Sequence, residues 1–191
     1  MSEYSQKLHM SDNEIIQKIL DDNTNFSILV DRYSDKLSRY IQRMSSVSAQ
    51  DREDLLQNVF IKVYINLNDF DDSLSFNAWI YRISHNEVID FVRREKNKQK
   101  KGRLDLDDDI FVIIEHSTNF LSDIYRKEDA EKINKIFSEM TPKYREILLL
   151  RFIEDYSYRD ISDILQKPES NITTMIHRAK KEFRKIYEQN I

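Results

Sequence analysis

The stretch Phe26-Ser-Ile-Leu-Val-Asp-Arg-Tyr-Ser-Asp-Lys-Leu-Ser-Arg-Tyr-Ile-Gln-Arg-Met44 decides the fold. Phe26, Leu29, Val30, Tyr33, Leu37, Tyr40, Ile41 and Met44 fall on one stripe at helical spacing, not on the alternation of a strand. Working outward, the same period recurs on both sides. Upstream, Ser11-Asp-Asn-Glu14 has the pattern of a capping box, in which Ser11 and Glu14 satisfy each other's free amides. Ile15, Ile16, Ile19 and Leu20 follow, and Asp21-Asp-Asn23 closes that helix. Downstream, Ser45 to Gln50 is a polar break. A third helix then carries Leu55, Leu56, Val59, Phe60, Val63, Tyr64 and Leu67, with Asp51, Asp54, Gln57 and Asn58 on its opposite face. After a loop over 68–75, a fourth helix begins near Phe76 and runs through Trp79, Ile80, Ile83, Val88, Ile89 and Val92 into a basic run.

Composition supports an all-α fold. The 191 residues include one Gly, two Pro and no Cys. Tight hairpins and glycine-rich phosphate loops depend on Gly, so an all-β fold, a Rossmann fold and a P-loop are disfavoured. Without Cys there are no disulfides, thiolate metal sites or Cys nucleophile. No stretch approaches the roughly 18 apolar residues of a membrane span, and the start, Met1-Ser-Glu-Tyr4, is polar. A soluble cytoplasmic protein without membrane insertion is expected.

The formal net charge of −4 hides a block structure. Residues 82–103 hold eight basic and three acidic side chains, 104–131 nine acidic and two basic, and 170–187 five basic and one acidic. Such basic blocks can neutralise phosphates whatever the overall charge. The acidic segment lacks a sustained period and reads as a flexible linker, with one short apolar run, Ile110 to Ile114.

Beyond it lies a second helical unit. Ala130, Ile133, Ile136, Phe137 and Met140 make one helix. Thr141-Pro142 is a restart signal with Thr as cap, and Ile147 to Phe152 is the apolar face of the next helix. Ser157-Tyr-Arg-Asp160 caps a short helix holding Ile161, Ile164 and Leu165. Gln166-Lys-Pro168 is a turn, and a basic helix runs from about Glu169 to Glu188. A short helix, a three-residue turn and a longer basic helix have the form of a helix-turn-helix, whose second helix enters the major groove. Ser170, Asn171, Thr173, Thr174 and His177 stand at its start, all hydrogen-bonding types suited to base edges. Arg178, Lys181 and Arg184 lie where phosphate contacts would fix register. An ordinary helical hairpin with a polar face is the plainer alternative.

In the first unit, Arg82, Asn86, Asp90 and Arg93 form one polar face opposite the Trp79/Ile83 side, beside a loop offering Phe70 and several polar groups. Such a surface suits single-stranded DNA, with cations tracking the backbone and polar groups receiving an unstacked base. It is also compatible with Trp79, Tyr81 and Phe91 being core residues only.

Asp51-Arg-Glu-Asp-Leu-Leu-Gln-Asn-Val-Phe60, followed by Phe76-Asn-Ala-Trp-Ile-Tyr-Arg-Ile-Ser-His-Asn-Glu-Val-Ile-Asp-Phe-Val-Arg-Arg94, resembles domain two of the bacterial extracytoplasmic-function (ECF) sigma factors of the sigma-seventy superfamily. Thr141-Pro-Lys-Tyr-Arg-Glu-Ile-Leu-Leu-Leu-Arg-Phe152, with Tyr158 to Leu165 and Asn171 to Phe183, resembles their domain four. The resemblance implies two small helical domains, domain two over 11–98 and domain four with its helix-turn-helix over 128–188, joined by the acidic linker over 99–127. It implies a specificity subunit that binds core RNA polymerase through the β′ clamp and β flap, directs promoter-specific initiation, and has no catalytic residues, metal or cofactor. Carried across residue by residue, Asp54, Gln57 and Asn58 match the helix that docks on the β′ clamp coiled coil. Phe70, Asp71, Ser73, Ser75, Arg82, Asn86, Asp90, Arg93 and Arg94 match the surface that melts and reads the minus-ten element as single strand. Ser170, Asn171, Thr173, Thr174, His177, Arg178 and Lys181 match the helix that reads the minus-thirty-five element as duplex. The family also admits an anti-sigma partner.

The chain departs from the family pattern at several places. Asn58 stands where Glu is usual, and Asp155 and Gln166 where Gly is usual, so a φ > 0 turn at Gln166 would carry a cost. Thr173 and Met175 replace usual cations, which predicts weaker electrostatic attraction to duplex DNA. Two other readings compete. One is a stand-alone helix-turn-helix regulator, which needs neither the Asp54/Gln57 helix nor the basic face of the fourth helix. The other is an enzyme, but His9, His85, His116 and His177 are scattered without metal-ligand spacing.

Overall fold

The computed structural model describes residues 10–45, 47–99 and 127–190, with side chains described outside 96–99 and 127–131. These residues form eight α-helices: α1 (Asp12–Asp21), α2 (Phe26–Met44), α3 (Ala49–Asn66), α4 (Phe76–Gln99), α5 (Lys127–Glu139), α6 (Pro142–Leu148), α7 (Tyr158–Leu165) and α8 (Glu169–Gln189). Among the described residues there is no strand, and no helix is long and apolar enough to cross a membrane. Nearly all of the acidic linker, including its apolar run, lies outside the described residues.

Four of the helices begin where a serine hydroxyl satisfies a free amide. The capping box at Ser11 and Glu14 forms, with the Ser11 amide donating to Glu14 Oε2 at 2.7 Å. Ser157 and Asp160 do the same for α7. Two starts differ from the sequence expectation. Helix α3 begins inside the polar break, because Ser48 Oγ accepts the Asp51 amide at 3.1 Å. Thr141 precedes α6 without capping it through its side chain, and its own amide donates to Glu182 Oε1 at 2.6 Å.

In the first unit α2 packs against α3 and α4, and α1 closes one side. Ile15, Ile19, Leu29, Leu37, Tyr40, Ile41, Leu55, Val59, Val63 and Ile80 are sealed from solvent. In the second unit α6 and α7 pack on α8, with α5 against its far half. The buried Arg145 guanidinium donates to the Ser138 and Met140 carbonyls at the C-terminal end of α5, where a cation is favoured.

The apolar run after α6 does not continue as one α-helix. Leu149–Ile153 forms a π turn in which the Glu154 amide bonds to the Leu149 carbonyl at 3.0 Å. The wider turn keeps Leu149 and Leu150 inside and puts Phe152 at 52 % exposure, although the sequence pattern placed Phe152 on the inward face. Asp155 and Gln166 then adopt φ of 57° and 52°, the two positive values among non-Gly residues described. Both occupy positions where Gly is usual in the family pattern. Gln166 ends α7 in the left-handed conformation, its amide donating to the Ser162 carbonyl. A side chain there costs about 1 kcal/mol relative to Gly. Gln166→Gly should therefore raise stability by up to about 1 kcal/mol in urea unfolding; a loss would show that the Gln166 side chain, which donates to the Asp163 carbonyl at 2.6 Å, matters more than backbone relief.

The two units meet. Helix α7 packs against α4, a contact with no signal in either helix's period. Arg43 Nη1 lies 2.5 Å from Glu154 Oε1, and Tyr81 donates to Glu154 Oε2 at 3.0 Å. The Tyr81 ring sits edge-on to Tyr156 with centroids 5.0 Å apart. Nearby, His85 Nδ1 is 2.7 Å from the buried Glu146 carboxylate. Burial opposes the His85 imidazolium, but the Glu146 charge and hydrogen bond outweigh it. Lys167, from the turn after α7, opposes the charge again, and the net shift is above the ordinary 6.5. A raised folded pKa means that this contribution is complete below about pH 6.5 and lost as pH rises through the raised value. Thermal unfolding across that window should show a loss in the wild type that His85→Gln lacks; parallel curves would remove His85 from the energetics of the seam.

Candidate nucleic-acid interface

Asp54, Gln57 and Asn58 are exposed on α3, opposite the buried Leu55, Val59 and Val63. Their i, i+3, i+4 spacing makes one polar face. It continues down the same helix into Ile61 and Ile65, which are 49 % and 66 % exposed. Leu20 of α1 and Tyr64 are exposed close by and line a shallow depression with Ile65.

Further along α3 the surface opens into a cleft of about 330 Å³, lined by Lys62, Asn66, Asp69, Trp79, Arg82, Ile83 and Asn86. Two helices build it. Helix α3 supplies Lys62 and Asn66, with Asp69 in the single 3-10 turn that follows. Helix α4 supplies Trp79, Arg82, Ile83 and Asn86. Lys62 Nζ pairs with the buried Glu87 carboxylate and so ties the two helices together at the cleft. Sequence reasoning singled out Arg82 and Asn86 but missed Lys62, Asn66 and Asp69. The signal was available: 54, 58, 62 and 66 repeat every four residues, so the polar stripe of α3 leads into this cleft.

The loop beside the cleft is held by its own contacts. Phe70 is half-buried, its ring 5.3 Å from Phe76 and 5.2 Å from Trp79. It anchors the loop rather than offering a free ring. Asp71 accepts the Ser73 amide at 3.0 Å, and Ser73's side-chain and backbone hydrogen bonds hold the Asp71 carboxyl below its ordinary pKa. Ser75 Oγ accepts the Ala78 amide at 3.2 Å and starts α4. Asp71 and Ser73 remain exposed at the loop tip. On α4, Asn86, Arg93 and Arg94 are exposed, while Arg82 and Asp90 are half-buried. Asp90 pairs with Arg93 at 3.0 Å, which holds that cation along α4 about two turns beyond Asn86. Trp79 is half-buried, so it both packs on the core and walls the cleft.

On the second unit, α7, the turn and α8 form the expected helix-turn-helix. Ser170, Asn171, Thr173, Thr174, His177, Arg178 and Lys181 are all exposed, while Ile172, Ile176 and Ala179 face inward. Thr173 Oγ1 donates to the Glu169 carbonyl and Thr174 Oγ1 to the Ser170 carbonyl, each at 3.0 Å. Their protons are committed, so both hydroxyls present acceptor lone pairs outward. Acceptors suit the exocyclic amines of adenine and cytosine in the major groove. On another side of this unit lies an apolar groove of about 360 Å³, lined by Ile133, Phe137, Leu148, Phe152, Ile153 and Phe183 and edged by Lys180 and Arg184. Among the described residues no cluster of carboxylates and histidines could hold a metal ion.

Comparison with known proteins adds identity to this geometry. The Sigma-70 region 2 family matches residues 29–98, and the Sigma-70, region 4 family matches residues 130–183. The ECF RNA polymerase sigma factor SigW of Bacillus subtilis (strain 168) is 30% identical over 173 residues, covering 86% of this chain and 89% of that protein. SigM of the same organism, also an ECF RNA polymerase sigma factor, is 29% identical over 139 residues, 73% of this chain and 81% of its own. Among solved structures, CnrH in complex with the cytosolic domain of CnrY superposes with a TM-score of 0.66 at 17% identity, covering 94% of this chain and 99% of that one. The sigma factor RpoE in complex with the anti-sigma factor NepR from Bartonella quintana gives 0.61 at 18% identity, covering 86% and 97%.

Proposed function

Because the chain belongs to the ECF RNA polymerase sigma factors of the sigma-70 superfamily, we propose that its two exposed polar surfaces divide the work of promoter recognition between them. As a sigma factor it binds core RNA polymerase and directs initiation to particular promoters, without catalysis of its own. It works where polymerase meets the chromosome, in the bacterial cytoplasm. The residue roles are those the family resemblance implies, and the exposure of these side chains supports them. Asp54, Gln57 and Asn58 dock on the β′ clamp coiled coil, with Ile61 and Ile65 extending that face. The cleft between α3 and α4 receives a base flipped from the minus-ten element, its amides and cations meeting the base edge and Trp79 its face. The exposed tip of the loop, Asp71 and Ser73, borders the strand, and Arg93 and Arg94 track its phosphates. The start of α8 reads the minus-thirty-five duplex through Ser170, Asn171, Thr173, Thr174 and His177. The groove edged by Lys180 and Arg184 takes an apolar helix of the β flap. These roles assign residues 11–98 and 128–188 to domains two and four. An anti-sigma factor, such as the NepR found on RpoE, is a further proposed partner.

The observation that carries this reading is the continuity of the α3 polar stripe with a base-sized cleft, on a unit separate from the helix-turn-helix. A stand-alone regulator has no use for either. The test is to add the protein to bacterial core polymerase with sheared genomic DNA of its source and sequence the transcript starts. Discrete starts sharing two upstream motifs are expected, and duplex binding with no dependent transcript would refute it. Arg178→Ala should also reduce the salt dependence of minus-thirty-five binding by a slope of about one, since one phosphate contact is lost. An unchanged slope would place Arg178 away from the backbone.

A further inference from the structure

The longest unbroken apolar run in the chain, Ile110-Phe-Val-Ile-Ile114, has no place in the roles assigned above. It falls in the 27 residues between Gln99 and Lys127. Asp105, Asp107, Asp108 and Asp109 precede it and Glu115 follows, so its five apolar side chains stand between carboxylates. Left in water, such a run forgoes its burial free energy, and its β-branched residues favour pairing with other chains. A surface that takes it must be apolar in the middle and cationic at the rim.

The groove on the second unit has that form. Ile133, Phe137, Leu148, Ile153 and Phe183 line it, and Phe152 joins them because the π turn over Leu149–Ile153 rotates its ring outward. Lys180 and Arg184 edge it, both exposed and neither with an ion-pair partner among the described residues. Lys180 Nζ stands 5.0 Å from the centroid of the Phe152 ring, so a cation borders the exposed apolar face. The depression at Leu20, Tyr64 and Ile65 of the first unit is apolar too, but no residue lining it is charged. The cleft between α3 and α4 is lined mainly by polar side chains. Of the three, the groove on the second unit alone matches an apolar run between carboxylates. The covalent chain also brings the run there. Ile133 lies six residues into α5, about 9 Å along it. The 12 residues from Glu115 to Arg126 can span about 40 Å. A tether of that length holds the run at an effective concentration on the order of 1 mM. We propose that this groove is the docking site of the Ile110–Ile114 run of its own chain, with the flanking carboxylates set against Lys180 and Arg184. The run and the β flap helix then contend for one groove. That consequence rests on the flap reading given above, whereas docking in the free protein does not.

The chain contains no Cys, so a nitroxide can be placed cleanly on His116→Cys, two residues beyond the run. In the free full chain with isotope-labelled Ile and Leu methyls, the signals of Ile133, Leu148 and Ile153 should lose intensity to the nitroxide. Phe111→Ser combined with Ile113→Ser keeps the tether and its charges and should restore those signals, with helical circular dichroism unchanged. Lys180→Glu combined with Arg184→Glu should restore them in part. No loss of intensity in the groove, or the same loss with Phe111 and Ile113 replaced, would overturn the proposal. So would an equal loss in a mixed sample whose nitroxide and methyl labels sit on different chains, because a second copy would then be the occupant. If the run fills the groove about nine-tenths of the time, replacing Phe111 and Ile113 should tighten core polymerase binding by up to about tenfold. Unchanged affinity, with the groove signals still quenched in the otherwise unaltered chain, would strike the flap reading and leave the docking standing.

Discussion

Leu29→Ala should destabilise the protein by about 3–4 kcal/mol. Leu29 has no solvent exposure and lies on the stripe of α2 that faces α3 and α4. Removing its isobutyl group leaves a void between helices, beside Tyr33 one turn along α2, which is itself buried. The surroundings cannot collapse freely, so the cavity term adds to the lost transfer energy. Urea unfolding followed by helical circular dichroism measures it. A change below about 1 kcal/mol would mean that α2 is not the central helix of that unit.

Asp54→Ala should lower affinity for core polymerase about tenfold or more, equivalent to about 1.4 kcal/mol, with the unfolding midpoint unchanged. Asp54 is exposed, and its described hydrogen bond is a 3.5 Å contact from Gln50 Nε2, so the fold does not depend on it. An equilibrium titration of labelled protein with core enzyme separates the two effects. Unaltered affinity would remove the α3 face from the docking surface. Lower affinity with lower stability would mean that the carboxylate has a structural role.

Much of this was legible in the sequence for definite reasons. The stripe of Phe26 to Met44 specifies its helix because every third or fourth position must be apolar to seal one face. The boxes at Ser11 and Ser157 are local, closing over three residues, and so they survive folding unchanged. The left-handed turn at Gln166 was foreseeable from the Gly it replaces. The exposed residues of α8 were foreseeable from the inward Ile172, Ile176 and Ala179 between them.

Other features left no local mark. The π turn over Leu149–Ile153 hides in a run that is apolar at nearly every position, so no period shows that Phe152 rotates outward. The Ser48 start lies in a polar stretch where several residues could cap. The seam pairs residues as far apart as Arg43 and Glu154, 111 positions along the chain, and no spacing rule connects them. Tyr81 and His85 carry the point best. In sequence they are part of a helix with a reading face. In the structure they occupy the opposite side of α4 and join the two units.

The most direct test of the sigma-factor reading is strand opening at a promoter found by transcript mapping, with 2-aminopurine in the non-template strand of the minus-ten element. Core polymerase and this protein together should raise its fluorescence, and neither should do so alone; Asn86→Ala in the cleft should reduce the rise. Binding of the protein to the promoter with no opening in the presence of core polymerase would contradict the account.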